Sequence, residues 1–252
     1  MRDLRLFIPI FLIAVSAGQP TAKASTKLPL PIPDGFRILA WNVKAVPPEG
    51  SLFYQQGEEL VPIDEIADTY ASKVYPYEGD GNLLFFGAQP GTTKVEEGKV
   101  VGRVNLTQFK LPLVLLSRSD PGSSEPYRAL SIEDSTESFP LGSYRFINAT
   151  DRTFAVQIGD ERALIQPLET VVLSPRINGA KTASFKMIIR ESSDWKPFRS
   201  NAIRHLPNRR VSYLIFSDNS GSRPVARGLS ETAADLDRRQ VSADLEATNR
   251  KD

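Results

Sequence analysis

Two stretches decide how this chain is read: Pro33-Asp-Gly-Phe-Arg-Ile-Leu-Ala-Trp-Asn42 and Pro140-Leu-Gly-Ser-Tyr-Arg-Phe-Ile-Asn148. Each is a Pro/Gly turn feeding an aromatic strand that ends in Asn. Outward from them the same order of features persists in both halves. Gly57 with Leu60-Val61-Pro62 parallels Gly159 with Leu164-Ile165-Gln166-Pro167, and Leu83 to Phe86 parallels Phe185 to Ile189. Asn105 to Pro112 parallels Asn201 to Pro207. The strands that follow, Leu113-Val-Leu-Leu-Ser117 and Val211-Ser-Tyr-Leu-Ile-Phe-Ser217, both run into Ser-Asp, and Pro126 with Leu130-Ser131 matches Pro224 with Leu229-Ser230. An ordered series of this kind is the signature of an internal repeat. The competing reading is that any all-β chain alternates turn residues with apolar runs. The stretch from Asp64 to Tyr77 has no close counterpart in the second half.

The apolar segments are short, bounded by turn residues, and lack a 3.6-residue period, which identifies strands. Those expected are 36–42, 51–54, 82–86, 100–106 and 113–117 in the first half, and 144–148, 153–158, 162–166, 184–189 and 211–216 in the second. Phe154, Val156 and Ile158 alternate, so they share one sheet face. Gly159-Asp160 supplies a glycine-first hairpin turn. The fold expected is all-β: two tandem β-sandwich-like modules, residues 36–137 and 138–229, behind a signal peptide (1–24) and a Pro-rich leader (25–35). A polar tail, 230–252, has a Ser cap and a thin stripe of Leu236, Val241 and Leu245, the pattern of a frayed helix or disorder.

Arg2 and Arg5, the apolar run from Leu6 to Val15 and small residues after it read as an export signal, with cleavage expected after Ala17 or Ala24. The run is too short for a spanning helix, leaving an uncleaved anchor as the minor reading. Removing three bases and one acid turns the formal charge of +1 into about −1, and a nearly neutral surface argues against nucleic acid as partner. No cysteine is present, so an exported chain must hold without disulfides. Asn105-Leu-Thr and Asn148-Ala-Thr match the glycosylation pattern at the ends of expected strands.

Catalysis finds little to work with. His205 is the only histidine, and the repeat sets it opposite Lys110, as an exposed residue before a strand. One His and no Cys leave no zinc, copper or haem ligand set, so neither metal nor cofactor is expected. Asp64, Glu65, Glu78, Asp80, Glu96 and Glu97 are candidates for paired-carboxylate hydrolysis, with solvated turns as the simpler reading. Glu78-Gly-Asp80-Gly-Asn82 clusters oxygen ligands but lacks the spacing of a calcium loop. Arg199, Arg204, Arg209 and Arg210 form a basic cluster before the last long strand that solvation, or ion pairs with the acidic segments, explains. Trp41 and Trp195 read as core or sandwich-edge residues. The most plausible ligand surface is Tyr70, Tyr75 and Tyr77 with Asp80 and Asn82, because rings give contact area and polar groups fix orientation; packing beneath a long loop is the competing reading.

The Pro- and Gly-bounded strands, repeated in modules of this size, resemble the small, often tandem, immunoglobulin-like all-β domains of unknown function in exported bacterial envelope proteins. That resemblance brings no functional residues with it. The function expected is a non-catalytic periplasmic or secreted protein, structural or protein-interacting, whose partner is another envelope protein. The alternative is a carbohydrate-binding, or carbohydrate-cleaving, protein that engages cell-wall polysaccharide through loop 64–82.

Overall fold

Strand β1 (Gly35–Trp41) is buried along its whole length, on both faces of its sheet, although it carries an arginine. A strand buried on both faces needs a second covering layer, and here that layer is the other half of the protein. The computed structural model describes residues 31–41, 50–119, 122–218 and 223–237; the export signal and residues 238–252 of the tail lie outside them.

The first module continues with β2 (Ser51–Gln56), β3 (Glu59–Pro62), β4 (Tyr75–Pro76), β5 (Asn82–Ala88), β6 (Lys99–Asn105), β7 (Pro112–Arg118) and β8 (Tyr127–Glu133). The second contains β9 (Tyr144–Asn148), β10 (Phe154–Ile158), β11 (Glu161–Ile165), β12 (Thr170–Leu173), β13 (Lys181–Glu191), β14 (Asp194–His205), β15 (Arg209–Ser217) and β16 (Pro224–Thr232). Two four-stranded sheets make each module: β4-β1-β7-β8 and β3-β2-β5-β6 in the first, β12-β9-β15-β16 and β11-β10-β13-β14 in the second. The orders are the same, strand for strand. So is the pairing sense, which is antiparallel throughout except for β1 with β7 and β9 with β15. The repeat read from sequence is therefore a repeat of topology.

Between the two sheets of each module lies its core. Phe36, Ile38, Tyr54, Phe85, Val114 and Tyr127 are among the buried residues of the first, and Phe146, Phe154, Val156, Met187, Tyr213 and Ile215 of the second. Phe154, Val156 and Ile158 do share the inner face, and Gly159 takes the positive φ of 57° that its two-residue hairpin demands. Gly57 does the same in module 1, at φ 60°.

The strand registers correct the pairing of residues read from the sequence by one to several positions. Opposite Gln55 stands Leu60 and opposite Gln157 stands Arg162, so Leu60 corresponds to Arg162 and not to Leu164. His205 closes β14, the counterpart of β6, while Lys110 lies in the following connection. The two are not equivalent, and His205 is buried where an exposed residue was expected. The tail also begins later than its composition suggests. β16 runs to Thr232, residues 233–237 form a short helical segment, and the cap is Thr232: its Oγ1 accepts the Asp235 N–H at 3.2 Å, while Asp235 Oδ2 accepts the Thr232 N–H at 2.8 Å.

Both Asn-x-Thr triplets have a structural use. Asn105 Oδ1 accepts the Thr107 N–H at 3.0 Å, and Asn148 Oδ1 accepts the Thr150 N–H at 3.1 Å, so each Asn turns the chain out of its strand. Asn148 is fully buried, and its amide donates to the carbonyls of Arg152 (2.7 Å) and Gln166 (2.9 Å).

Candidate functional site

The loop singled out by sequence joins β3 to β4 through residues 63–74, where module 2 joins β11 to β12 through 166–169 alone. Its conformation follows from what β1 lacks. β12 pairs with β9 over four residues, but β4 pairs with β1 only at Gly35 and Phe36, leaving the rest of that edge open. The loop fills it: Ser72 N–H donates to Ile38 O (2.8 Å), Ala40 N–H donates to Ala67 O (2.9 Å), and Ser72 Oγ accepts the Ile38 N–H (2.9 Å). Tyr75 and Tyr77 are correspondingly core residues, packed around Phe36.

The Tyr75 hydroxyl donates to Asp64 Oδ1 and accepts the Glu65 N–H, both at 2.9 Å. Burial opposes ionisation of Asp64, yet the bonds from Tyr75 and Lys73 outweigh it and hold its pKa below the usual carboxylate range. Burial pushes the Tyr75 phenol far up. The Tyr77 hydroxyl accepts the Gly81 N–H at 3.1 Å. Asp80 and Asn82 are exposed, joined by an Asn82 N–H to Oδ1 bond of 2.8 Å, and Tyr70 stands apart at 49% exposure. Tyr77, Asp80 and Asn82 line one shallow depression of about 280 Å³ with Gln55 and Leu84; Tyr70 and Tyr75 are not part of it. The five residues therefore do not converge.

The module interface brings together far more. Leu39, Trp41, Leu113, Leu115 and Ile132 of the first module pack with Ile147 and Leu214 of the second in one buried cluster, and the Trp41 ring meets Phe216 edge-on. Leu39 corresponds to Ile147, and Leu115 to Leu214, by register. Each module thus offers the same outer sheet face, as two subunits do across a twofold axis.

Beside this apolar patch lies an ion cluster. Arg37, Arg145, Arg210 and Asp134 are at most 2% exposed. Arg37 pairs with Asp134 and, at 2.7 Å, with Glu231. Arg210 reaches Asp134 at 3.2 Å and Glu231 at 2.8 Å, and Arg145 reaches Asp134 at 2.9 Å. The cluster repeats too. Arg37 and Arg145 occupy the same place in β1 and β9, while Asp134, bonded to Leu111 O, stands where Glu231 faces Arg210. The Arg145 and Arg210 guanidiniums both lie over the Phe139 ring, 4.2 and 4.7 Å from its centre. Burial tends to lower both Arg37 and Arg145. Asp134 and Glu231 overcome it for Arg37, but not for Arg145, which has Arg210 beside it. Arg210 is thus buried and ion-paired, the second of the two explanations the sequence allowed for its basic cluster, and not solvated.

At one end of the interface a cleft of about 510 Å³ opens between the modules, with Trp41, Leu130, Leu168 and Phe216 on its walls and Arg118, Arg128 and Asp218 among its polar groups. His205 lies at the other end of β9. Its Nδ1 is 3.0 Å from the Tyr144 hydroxyl. Burial pushes His205 down and Tyr144 up to about 12, so the pair is neutral at pH 7. Among the described residues, no group of three or more His, Asp or Glu side chains is placed to hold a metal ion, and no helix is long and apolar enough to cross a membrane.

No protein-family model matches this chain, and no curated protein matches it.

Proposed function

We propose that this is a non-catalytic, exported envelope protein: a rigid two-module scaffold that binds another envelope polypeptide by strand addition. The observation that carries the reading is β14. It is a twelve-residue edge strand, and every one of its side chains but Phe198, Ile203 and His205 is exposed. An edge of that length offers a row of backbone donors and acceptors to an incoming strand. Pro197 and the charged Lys196, Arg199 and Arg204 restrain indiscriminate pairing along it.

The polysaccharide alternative keeps only the depression beside Tyr77, Asp80 and Asn82, since Tyr75 and Tyr77 bury their rings. A photo-crosslinking residue in place of Ser200, in the otherwise intact mature chain, distinguishes the two. Mixed with an envelope extract, it is expected to give polypeptide adducts. Cosedimentation with cell-wall polysaccharide, without any polypeptide adduct, overturns the proposal.

A further inference from the structure

The two modules differ in how they treat the outer face of their second sheet. In module 1 the connection between β5 and β6, residues 89–98, folds back over that face. Thr93 and Lys94 run beside β3, where Leu60 N–H donates to Thr93 O at 2.8 Å and Lys94 bridges antiparallel to Glu59, and Val95–Glu97 form a single 3-10 turn. Val95 then sits on Phe53, Leu60, Phe86 and Ala88, a small second core. Gly98 lies so close to Leu60 and Phe86 that a Cβ there would come within 2.9 Å of each. In module 2 the corresponding connection is only the turn at Ser192-Ser193, so nothing of the kind covers β11-β10-β13-β14.

By register, Phe53, Leu60, Leu84 and Phe86 correspond to Ala155, Arg162, Lys186 and Ile188. Those four module 2 residues, with Leu164 and Gln157, line a surface depression of about 400 Å³. Leu164 is 47% exposed, while Arg162 and Lys186 stand out to solvent on either side. Among the described residues, no other segment bonds along the outer backbone edge of β11.

We propose that this face is a docking site for a short segment of a partner protein that pairs with the sheet edge and carries an aliphatic side chain followed by carboxylates. The peptide adds antiparallel to the β11 edge and seats one aliphatic side chain on Ala155, Leu164 and Ile188. Module 1 shows the form of such an occupant: its covering segment places Val95 on the sheet, followed by Glu96 and Glu97. Replacing Leu60 and Leu84 by Arg162 and Lys186 gives the module 2 face the positive charge that complements carboxylates. The proposal rests on the interaction reading above but concerns the opposite edge of the sheet from β14.

The test uses the intact mature chain and the decapeptide Pro90-Gly-Thr-Thr-Lys-Val-Glu-Glu-Gly-Lys99, followed by amide chemical shifts. Saturable shifts are expected on β10, β11 and β13. Affinity should fall at least tenfold in the R162E/K186E variant, and for peptides carrying Val95→Ser or both Glu96→Lys and Glu97→Lys. Both substituted protein positions are solvent-facing, and an unchanged unfolding midpoint confirms that the variant folds. Absence of saturable shifts there, or affinity indifferent to the charge reversals, overturns the proposal. So does self-association of the chain abolished by the same variant, which would make a second copy the occupant. Crosslinking at β14 that survives R162E/K186E separates failure here from failure of the scaffold reading.

Discussion

Asp134 holds three guanidiniums in a space closed to water, and its removal leaves Glu231 alone against Arg37, Arg145 and Arg210. Breaking a buried ion cluster on one side is far costlier than its net contribution, because unpaired charge stays behind. Asp134→Asn should therefore destabilise the protein by about 3–5 kcal/mol in urea unfolding. Glu137→Ala, which removes the exposed pair with Lys110, should cost less than about 1 kcal/mol.

His205 makes a pH prediction. It is neutral in both states above its unfolded pKa of about 6.5, so its full contribution is present there. Because burial lowers the folded pKa, the unfolded chain takes up the proton first as pH falls, and stability declines from that point toward the lower folded value. Urea midpoints for wild type should fall through that window, and His205→Gln should flatten this part of the profile. Arg37 and Arg145 were visible in the sequence as the one charge inside each aromatic strand. Their partners were not, since Asp134 and Glu231 lie far along the chain and acids are common in turns.

At the scale of elements, the sequence marks the most continuously apolar strands and misses several that are not, including β8, although its Tyr127 and Ile132 are buried. β1, β7, β9 and β10 are aliphatic and aromatic, and their expected ends fall within a residue of the observed ones. β14 was not expected as a strand, although Trp195 within it read as a core or sandwich-edge residue, because a largely solvated edge strand has no apolar alternation to show. Neither β4, two residues long, nor β12, a thin edge, gives a signal of its own. Tyr75 and Tyr77 of the candidate site follow the packing reading, while Tyr70 is exposed. The loop after β3 showed in the sequence only as a stretch without counterpart; that it completes the edge of β1 is recorded in no local pattern.

The paired turns allow a direct comparison within one chain. Asn148→Ala removes a buried amide that satisfies two carbonyls and two Thr150 groups, and should cost about 2–4 kcal/mol, since orphaned buried groups carry their full desolvation penalty. Asn105→Ala, at an exposed turn, should cost about 1 kcal/mol or less in the same assay.

The whole molecule is two copies of one strand order packed through equivalent faces, with ions and aliphatic side chains shared across the seam. The repeated order of features was legible in the sequence because turns and core strands repeat. That the halves face one another was not, although the unbroken burial of Gly35–Trp41 and Tyr144–Asn148 is its trace. Because ions and core are shared across the seam, neither module should be stable without the other, and the two should unfold together. The most direct measurement is residue-resolved hydrogen exchange in increasing urea, comparing amides of β2 and β5 with those of β10 and β13, in wild type and in Asp134→Asn. Both modules should lose protection in one transition, and the substitution should lower both by the same amount. Two separate transitions, or a loss confined to one module, would contradict the account.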